Sequence, residues 1–137
     1  MRRFLYLILV IVLTTATACA EGLGLDTSVQ GNYGLVTVNG RQLPYSIQGT
    51  TSTQIIRSGT LQMHSNGDFV EVIVSDEVSS GRTSTTTDRF TGSYETDARG
   101  RIYFLYDNDD TRRSIEGEYD SNTVTMYTEG FTVVYRR

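Results

Sequence analysis

The alternation of apolar and polar residues from Gly31 to Arg136 is the feature that most constrains the fold of this chain. No stretch of this region repeats apolar residues at positions i, i+3, i+4 and i+7 between capping residues, as an amphipathic helix would. Short alternating runs are instead separated by turn residues such as Asn39-Gly40 and Ser65-Asn66-Gly67, which are strong hairpin signals. The sequence therefore predicts an all-β domain.

The turns divide residues 31–137 into about eight to ten short strands, each close to the next along the chain. Consecutive hairpins favour a small antiparallel up-and-down barrel, because closure of the sheet leaves no edge strand exposed. The candidate strand segments, two of which overlap, are Tyr33–Val38, Leu43–Gln48, Ser52–Arg57, Thr60–His64, Asp68–Asp76, Arg82–Thr91, Phe90–Glu95, Arg101–Asp107, Ser114–Tyr119, Thr123–Thr128 and Phe131–Arg136.

A Gly-x-Tyr triplet recurs within these strands, at Gly31-Asn32-Tyr33, Gly92-Ser93-Tyr94 and Gly117-Glu118-Tyr119, with Gly59-Thr60-Leu61 as a variant. Because glycine has no side chain, we expect a neighbouring ring or backbone to approach closely at these positions. The tyrosine two residues later lies on the same face of the strand.

The first eighteen residues form a signal segment. Met1-Arg2-Arg3 supplies a short positive region, and Phe4 to Leu13 is an apolar run too short to span a bilayer comfortably. Small residues then lead to Cys19, and Ala16-Thr17-Ala18-Cys19 resembles the lipobox of bacterial lipoproteins. The resemblance implies cleavage before Cys19 and attachment of a diacylglyceryl group to its sulfur. The alternative is an ordinary secretory signal, with Cys19 incidental.

Residues 19–30 are expected to form a flexible tether, since they contain glycines, acids and hydroxyl residues without sustained periodicity. Several lipid chains give stable attachment, so the tether would hold domain 31–137 at a membrane surface. Ala20 follows the cysteine, where an Asp would mark inner-membrane retention. The expected location is therefore the outer membrane, facing the periplasm.

Composition excludes several classes of protein. A single Cys rules out an intramolecular disulfide framework, and with one His it rules out a zinc site built from Cys and His ligands. The formal net charge is -4 and all 12 basic residues are Arg, without a basic stripe. This charge pattern argues against nucleic acid as a partner.

The segment Gly31–Gly40, followed by Leu43-Pro44, resembles the opening of small lipocalin-like bacterial lipoproteins, and the hairpins around Asn66-Gly67 and Gly100 are similar to theirs. The resemblance implies a barrel that can enclose an apolar cavity. Lipocalins proper carry a Trp in the first strand, whereas Tyr33 occupies that place here. The same opening also resembles the META-type domain of other envelope lipoproteins, which implies the same location and no chemistry.

Catalytic and metal-binding signals are weak. His64 is the only imidazole, and the alternation places it opposite Leu61 and Met63, facing water. No nucleophilic Ser in a G-x-S-x-G context accompanies it, so we expect no enzymatic activity. Asp107-Asn108-Asp109-Asp110 is rich in oxygen ligands but lacks the Gly and the distant Glu of a calcium-binding EF-hand. We expect a solvated turn there, no metal and no cofactor.

The aromatic residues are the remaining functional candidates. Inward-facing rings could line a pocket for a small hydrophobic ligand, although in small barrels such rings also fill the core. The candidate ligand-binding residues are Tyr33, Phe69, Phe90, Tyr94, Phe104 and Tyr119.

Ile102–Tyr106 is apolar on both faces, so one face should line the barrel and the other needs a cover or partner. The last strand, in which Phe131, Val133 and Tyr135 alternate, could be its neighbour. The primary functional hypothesis is a membrane-anchored lipoprotein that binds a small hydrophobic molecule. The alternative is a protein-binding or structural envelope module that uses an exposed strand face such as Tyr103–Tyr106.

Overall fold

The chain forms one ten-stranded antiparallel sheet, shown by a computed structural model that describes residues 24–107 and 114–137. The signal segment, Cys19 and most of Asp107–Asp110 lie outside the described residues. A short 3-10 helix, Thr27–Val29, precedes the strands. The strands are β1 (Gly31–Val38), β2 (Arg41–Gln42), β3 (Tyr45–Gln48), β4 (Thr53–Met63), β5 (Asp68–Ser79), β6 (Arg82–Thr96), β7 (Arg101–Tyr106), β8 (Ser114–Tyr119), β9 (Thr123–Thr128) and β10 (Phe131–Arg136).

Eight of these strands close into an up-and-down barrel, as the sequence predicts. From β4 to β10 each strand pairs with the next along the chain, and β10 pairs with β1. Closure comes from β1 and β4, which pair from Gly31 with Met63 to Gly34 with Thr60. Beyond these pairs the two strands separate, and β2 and β3 pair with their diverging parts.

Two strands are longer than the sequence pattern indicates. The predicted strands Ser52–Arg57 and Thr60–His64 are one strand, β4, whose register shifts between Ile56 and Ser58. The bulge realigns the inward-facing residues on either side of it, and Ser58 and Gly59 lie within the strand and do not end it. Similarly, the predicted strands Arg82–Thr91 and Phe90–Glu95 are both parts of β6.

The long hairpin of β5 and β6 extends beyond the barrel. β7 pairs with β6 only from Gly92 to Thr96. Within the described part of the chain, residues Arg82 to Phe90 therefore have a strand partner on one side only, which is β5. The expectation that closure leaves no exposed edge is wrong for this segment, because β6 is longer than the β7 strand that would cover it.

One end of the barrel, called the closed end, is covered by residues 24–30. Gly24 pairs with Thr96, and the Val29 side chain is fully buried. The hydroxyl of Tyr33 donates a hydrogen bond of 2.7 Å to the Val29 carbonyl oxygen. The part of the predicted tether that the structure describes thus packs against the barrel.

Arg137, the residue that follows β10, also stabilises the closed end. Its guanidinium donates to the carbonyl oxygens of Gln30 (2.6 Å), Ser28 (3.0 Å) and Ser121. The same group lies 5.4 Å from the centre of the Tyr33 ring. These contacts join the last strand to the covering segment.

Candidate functional site

The barrel interior is filled near the closed end and hollow near the opposite end, called the cavity end. Large buried rings, among them Tyr33, Tyr94, Phe69 and Phe104, fill the closed half. A cavity of about 170 Å³ lies in the other half. It is lined by inward-facing residues of β1, β3, β4, β5, β7, β9 and β10, namely Leu35, Val38, Ile47, Ile56, Glu71, Ile73, Tyr106, Thr128, Phe131, Val133 and Tyr135.

Among the described residues that line this apolar cavity, Glu71 is the one with an ionisable carboxyl group, and it is only 7% exposed. Alternation along β5 places it on the inward face, since Phe69 on one side and Ile73 on the other both point into the barrel. A buried carboxylate is costly unless hydrogen bonds satisfy it. The structure supplies two such bonds.

Two tyrosine hydroxyls hold the Glu71 carboxylate, one on each oxygen. Tyr106 on β7 donates to Oε2 at 2.8 Å, and Tyr135 on β10 donates to Oε1. Burial, together with the neighbouring Glu71 charge, raises the pKa of both tyrosines well above the usual value near 10. Both hydroxyls therefore keep their protons and remain hydrogen-bond donors.

Aromatic contacts fix the position of Tyr106. Its ring meets that of Phe69 edge-on, with the ring centres 5.0 Å apart, and that of Phe90 at 6.1 Å. Phe69 in turn packs edge-on against Phe104 at 5.2 Å. This row of rings runs from the filled half of the core to the cavity and keeps the Tyr106 hydroxyl on Glu71.

The Glu71 carboxylate has no cationic partner among residues 24–107 and 114–137, where no Arg or His lies within ion-pair distance of it. Asp76, the other buried carboxylate of β5, does have one, because Arg57 Nε donates to it at 2.6 Å. Each Glu71 oxygen accepts one hydroxyl, whereas a carboxylate offers about four acceptor positions in all. Glu71 therefore retains spare acceptor capacity at the cavity.

The predicted ligand-binding residues mostly lie elsewhere. Tyr33, Phe69, Tyr94 and Phe104 are buried in the filled part of the core. Tyr119 lies at the closed end, where its hydroxyl donates to Asp26 at 2.7 Å. Burial, and then this hydrogen bond to Asp26, raise the pKa of Tyr119 to about 12. Phe90 is 36% exposed and packs on Tyr106 beside the cavity end. Their role as ligand contacts stays a prediction.

The outer face of β7 carries a second, shallow depression. It is a surface groove of about 380 Å³ lined by Ser93, Glu95, Tyr103, Leu105 and Ser114. Leu105 is 40% exposed, so the outward-facing side chains of Ile102–Tyr106 are only partly covered by the described part of the chain. The prediction that β10 neighbours this strand is wrong, because β10 lies between β1 and β9. Tyr106 of β7 and Tyr135 of β10 instead both donate to Glu71 in the barrel interior.

His64 is exposed, as alternation predicts, and its carbonyl oxygen accepts a hydrogen bond from the Tyr94 hydroxyl. Among the described residues no three His, Cys, Asp or Glu side chains lie close enough to hold a metal ion. The same residues include no helix of the length and apolarity that crossing a membrane requires.

Sequence reasoning missed Glu71, although a signal for it was present. Phe69, Glu71 and Ile73 alternate on one face of a strand whose Phe is a clear core residue, and period-2 counting places the carboxylate inside. Its partners were not readable in this way. Tyr106 and Tyr135 belong to strands that are not neighbours, and only the curvature of the closed barrel brings them to one carboxylate.

Comparison of the chain with known protein families, with curated proteins and with solved structures finds no match.

Proposed function

We propose that this protein is a membrane-anchored envelope lipoprotein whose lipocalin-like barrel binds a small hydrophobic molecule. The observation that carries the proposal is the apolar cavity of about 170 Å³ at one end of an otherwise filled barrel. Lining residues such as Ile47, Ile56 and Phe131 are only half-buried, so the cavity is accessible from solvent. Pockets of this kind are where small barrels bind ligands.

The volume limits the size of the ligand. Drug-sized ligands occupy pockets of about 300–1,000 Å³, well above the volume found here. An apolar cavity of about 150 Å³ is large enough for benzene. The proposed ligand is therefore a single ring or a comparably compact apolar group, and not a long acyl chain.

Benzene binding to the purified protein tests the cavity, with backbone amide chemical shifts as the readout. We expect shifts confined to strands that line the cavity and saturating with concentration. Val133→Phe should abolish them, because Val133 faces the cavity. Val134→Phe makes the same change at the next position of β10, on the opposite face, and should bind as the wild type does. Absence of binding to the wild type would overturn the proposal.

The anchor is supported by the Ala16–Cys19 sequence alone, and it is tested separately. In a bacterial host grown with radiolabelled palmitate, we expect the wild-type protein to incorporate label and to fractionate with membranes. Cys19→Ser should lose both properties, whereas Thr17→Ser should keep them. Equal labelling of the wild type and Cys19→Ser would show that Cys19 is not acylated.

The alternative function, protein binding without a ligand cavity, is favoured by the outer groove. Leu105 lines this groove. Tyr127, which is 45% exposed, lies on the same outer surface two strands away, on β9. The substitution Leu105→Asp would weaken such an interaction and leave benzene binding unchanged. The two functions therefore respond to different variants.

A further inference from the structure

The cavity contains a carboxyl side chain, Glu71, for which the described chain provides no cationic partner, and this feature points to the class of ligand. Glu71 is fixed in place by two hydroxyls that cannot neutralise it, since burial and the Glu71 charge keep both tyrosines protonated. A neutral apolar ligand would leave the charge without compensation. A ligand that carries its own cation would compensate it.

The walls of the cavity also favour a cation. Three aromatic side chains, Tyr106, Phe131 and Tyr135, line it together with Glu71. Aromatic faces attract ammonium groups, and the attraction grows when water is excluded. A carboxylate and several rings around one small cavity are thus a favourable environment for an organic ammonium ion.

From this arrangement we infer that the cavity binds a compact amine, with its apolar body against the aliphatic wall and its ammonium group on the Glu71 carboxylate. The inference rests on the proposed function and specifies its ligand class. The ammonium would donate to the acceptor positions of Glu71 that Tyr106 and Tyr135 leave free. The aliphatic residues Leu35, Ile73 and Val133 would contact the apolar body.

Preorganisation makes this pairing favourable. Forming a buried ion pair ordinarily requires the desolvation of both ions. Here the carboxyl group is already largely shielded from water and held by two hydrogen bonds when the protein folds, so most of the remaining desolvation cost falls on the amine. Hydrogen bonds between charged groups are also stronger than those between neutral ones.

The experiment compares three ligands of one shape by NMR titration of the purified protein at pH 7. Benzylamine is cationic, benzyl alcohol is neutral and benzoate is anionic. We expect benzylamine to bind the wild type at least about tenfold more tightly than benzyl alcohol, and benzoate to bind most weakly. This order depends on the wild-type protein alone, so it stands even if a variant fails to fold.

The variant Glu71→Gln removes the charge and keeps the shape of the side chain. We expect it to lose the preference for benzylamine, while its affinity for benzyl alcohol stays within about threefold of that of the wild type. The matched control is Glu77→Gln, the same substitution at an exposed position of β5, which should behave as the wild type.

The outcomes separate the inference from the proposed function. If benzene and benzyl alcohol bind but benzylamine binds no more tightly than the alcohol, the amine inference is wrong and the apolar cavity stands. An unchanged preference for benzylamine in Glu71→Gln would also overturn the inference. If benzene, benzyl alcohol and benzylamine all fail to bind, both the proposed function and the inference are wrong.

Discussion

Gly92 lies where β6 passes closest to both a neighbouring strand and a core ring. A Cβ atom at this position would lie 2.1 Å from the carbonyl oxygen of Leu105 and 2.7 Å from Cε1 of Phe69. The ring of Phe69 covers the glycine directly opposite it across the β5–β6 pairing. The close approach expected at the Gly-x-Tyr triplets is confirmed here and at Gly117, where a Cβ would lie 2.3 Å from the Thr125 carbonyl oxygen.

The substitution Gly92→Ala should therefore destabilise the protein strongly. Backbone cannot move aside as a flexible side chain can, so we expect a loss of about 3 kcal/mol or more in the free energy of unfolding, measured with urea. Gly24→Ala is the control, because no atom lies within 4 Å of a Cβ at that position. Its effect should stay within about 0.5 kcal/mol. Similar losses for both variants would contradict the packing argument.

At the scale of single elements, the extension of β5 and β6 is held by a polar cluster and not by the core. Asp76 accepts hydrogen bonds from Thr85 Oγ1 at 2.7 Å and from Arg57 Nε at 2.6 Å. Beside it, Ser75 contacts the side chains of Gln54 and Thr86 at 3.2 Å each. Side-chain hydrogen bonds thus join β4, β5 and β6 in the region where β7 no longer pairs with β6.

This cluster makes the stability of the protein depend on pH. The hydrogen bond from Thr85, and then that from Arg57, lower the pKa of Asp76 in the folded protein. The unfolded value is about 3.9, so the ionised carboxylate adds stability above about pH 4. That contribution is lost as the pH falls through the lower, folded value.

The variant Asp76→Asn should accordingly be less stable than the wild type at pH 6, and the difference should shrink steadily towards pH 2. Urea unfolding at a series of pH values measures it. Glu77→Gln, which removes one exposed charge from the same strand, controls for the change in net charge. A difference between the wild type and Asp76→Asn that does not vary with pH would show that the carboxylate acts only by packing.

Strand positions were largely predictable because glycine, asparagine and aspartate identify most of the turns. The exceptions have local causes. Ser58 and Gly59 resemble a break, but a bulge after Ile56 carries β4 through them. Phe90 resembles the start of a new strand, yet it lies within β6 because β5 pairs with that strand without interruption from Arg82 to Ser93.

At the scale of the whole molecule, the barrel could be predicted and the cavity could not. Consecutive hairpins specify the order of the strands, and closure follows from the need to cover the edges. Whether the interior is filled depends on the sum of side-chain volumes at each level of the barrel. Medium-sized residues such as Val38 and Val133 meet at one level and rings such as Phe69 and Phe104 at another, and alternation alone does not show which residues share a level.

The position of the covering segment determines how an anchored molecule would stand on a bilayer. Gly24 joins the barrel at the closed end, and Cys19 lies five residues earlier, a reach of at most about 18 Å. The eight residues of β1 run about 26 Å towards the other end. A lipid on Cys19 would therefore hold the closed end against the membrane and direct the mouth of the cavity away from it. Cargo would then arrive from the aqueous compartment, and not from the leaflet that carries the anchor.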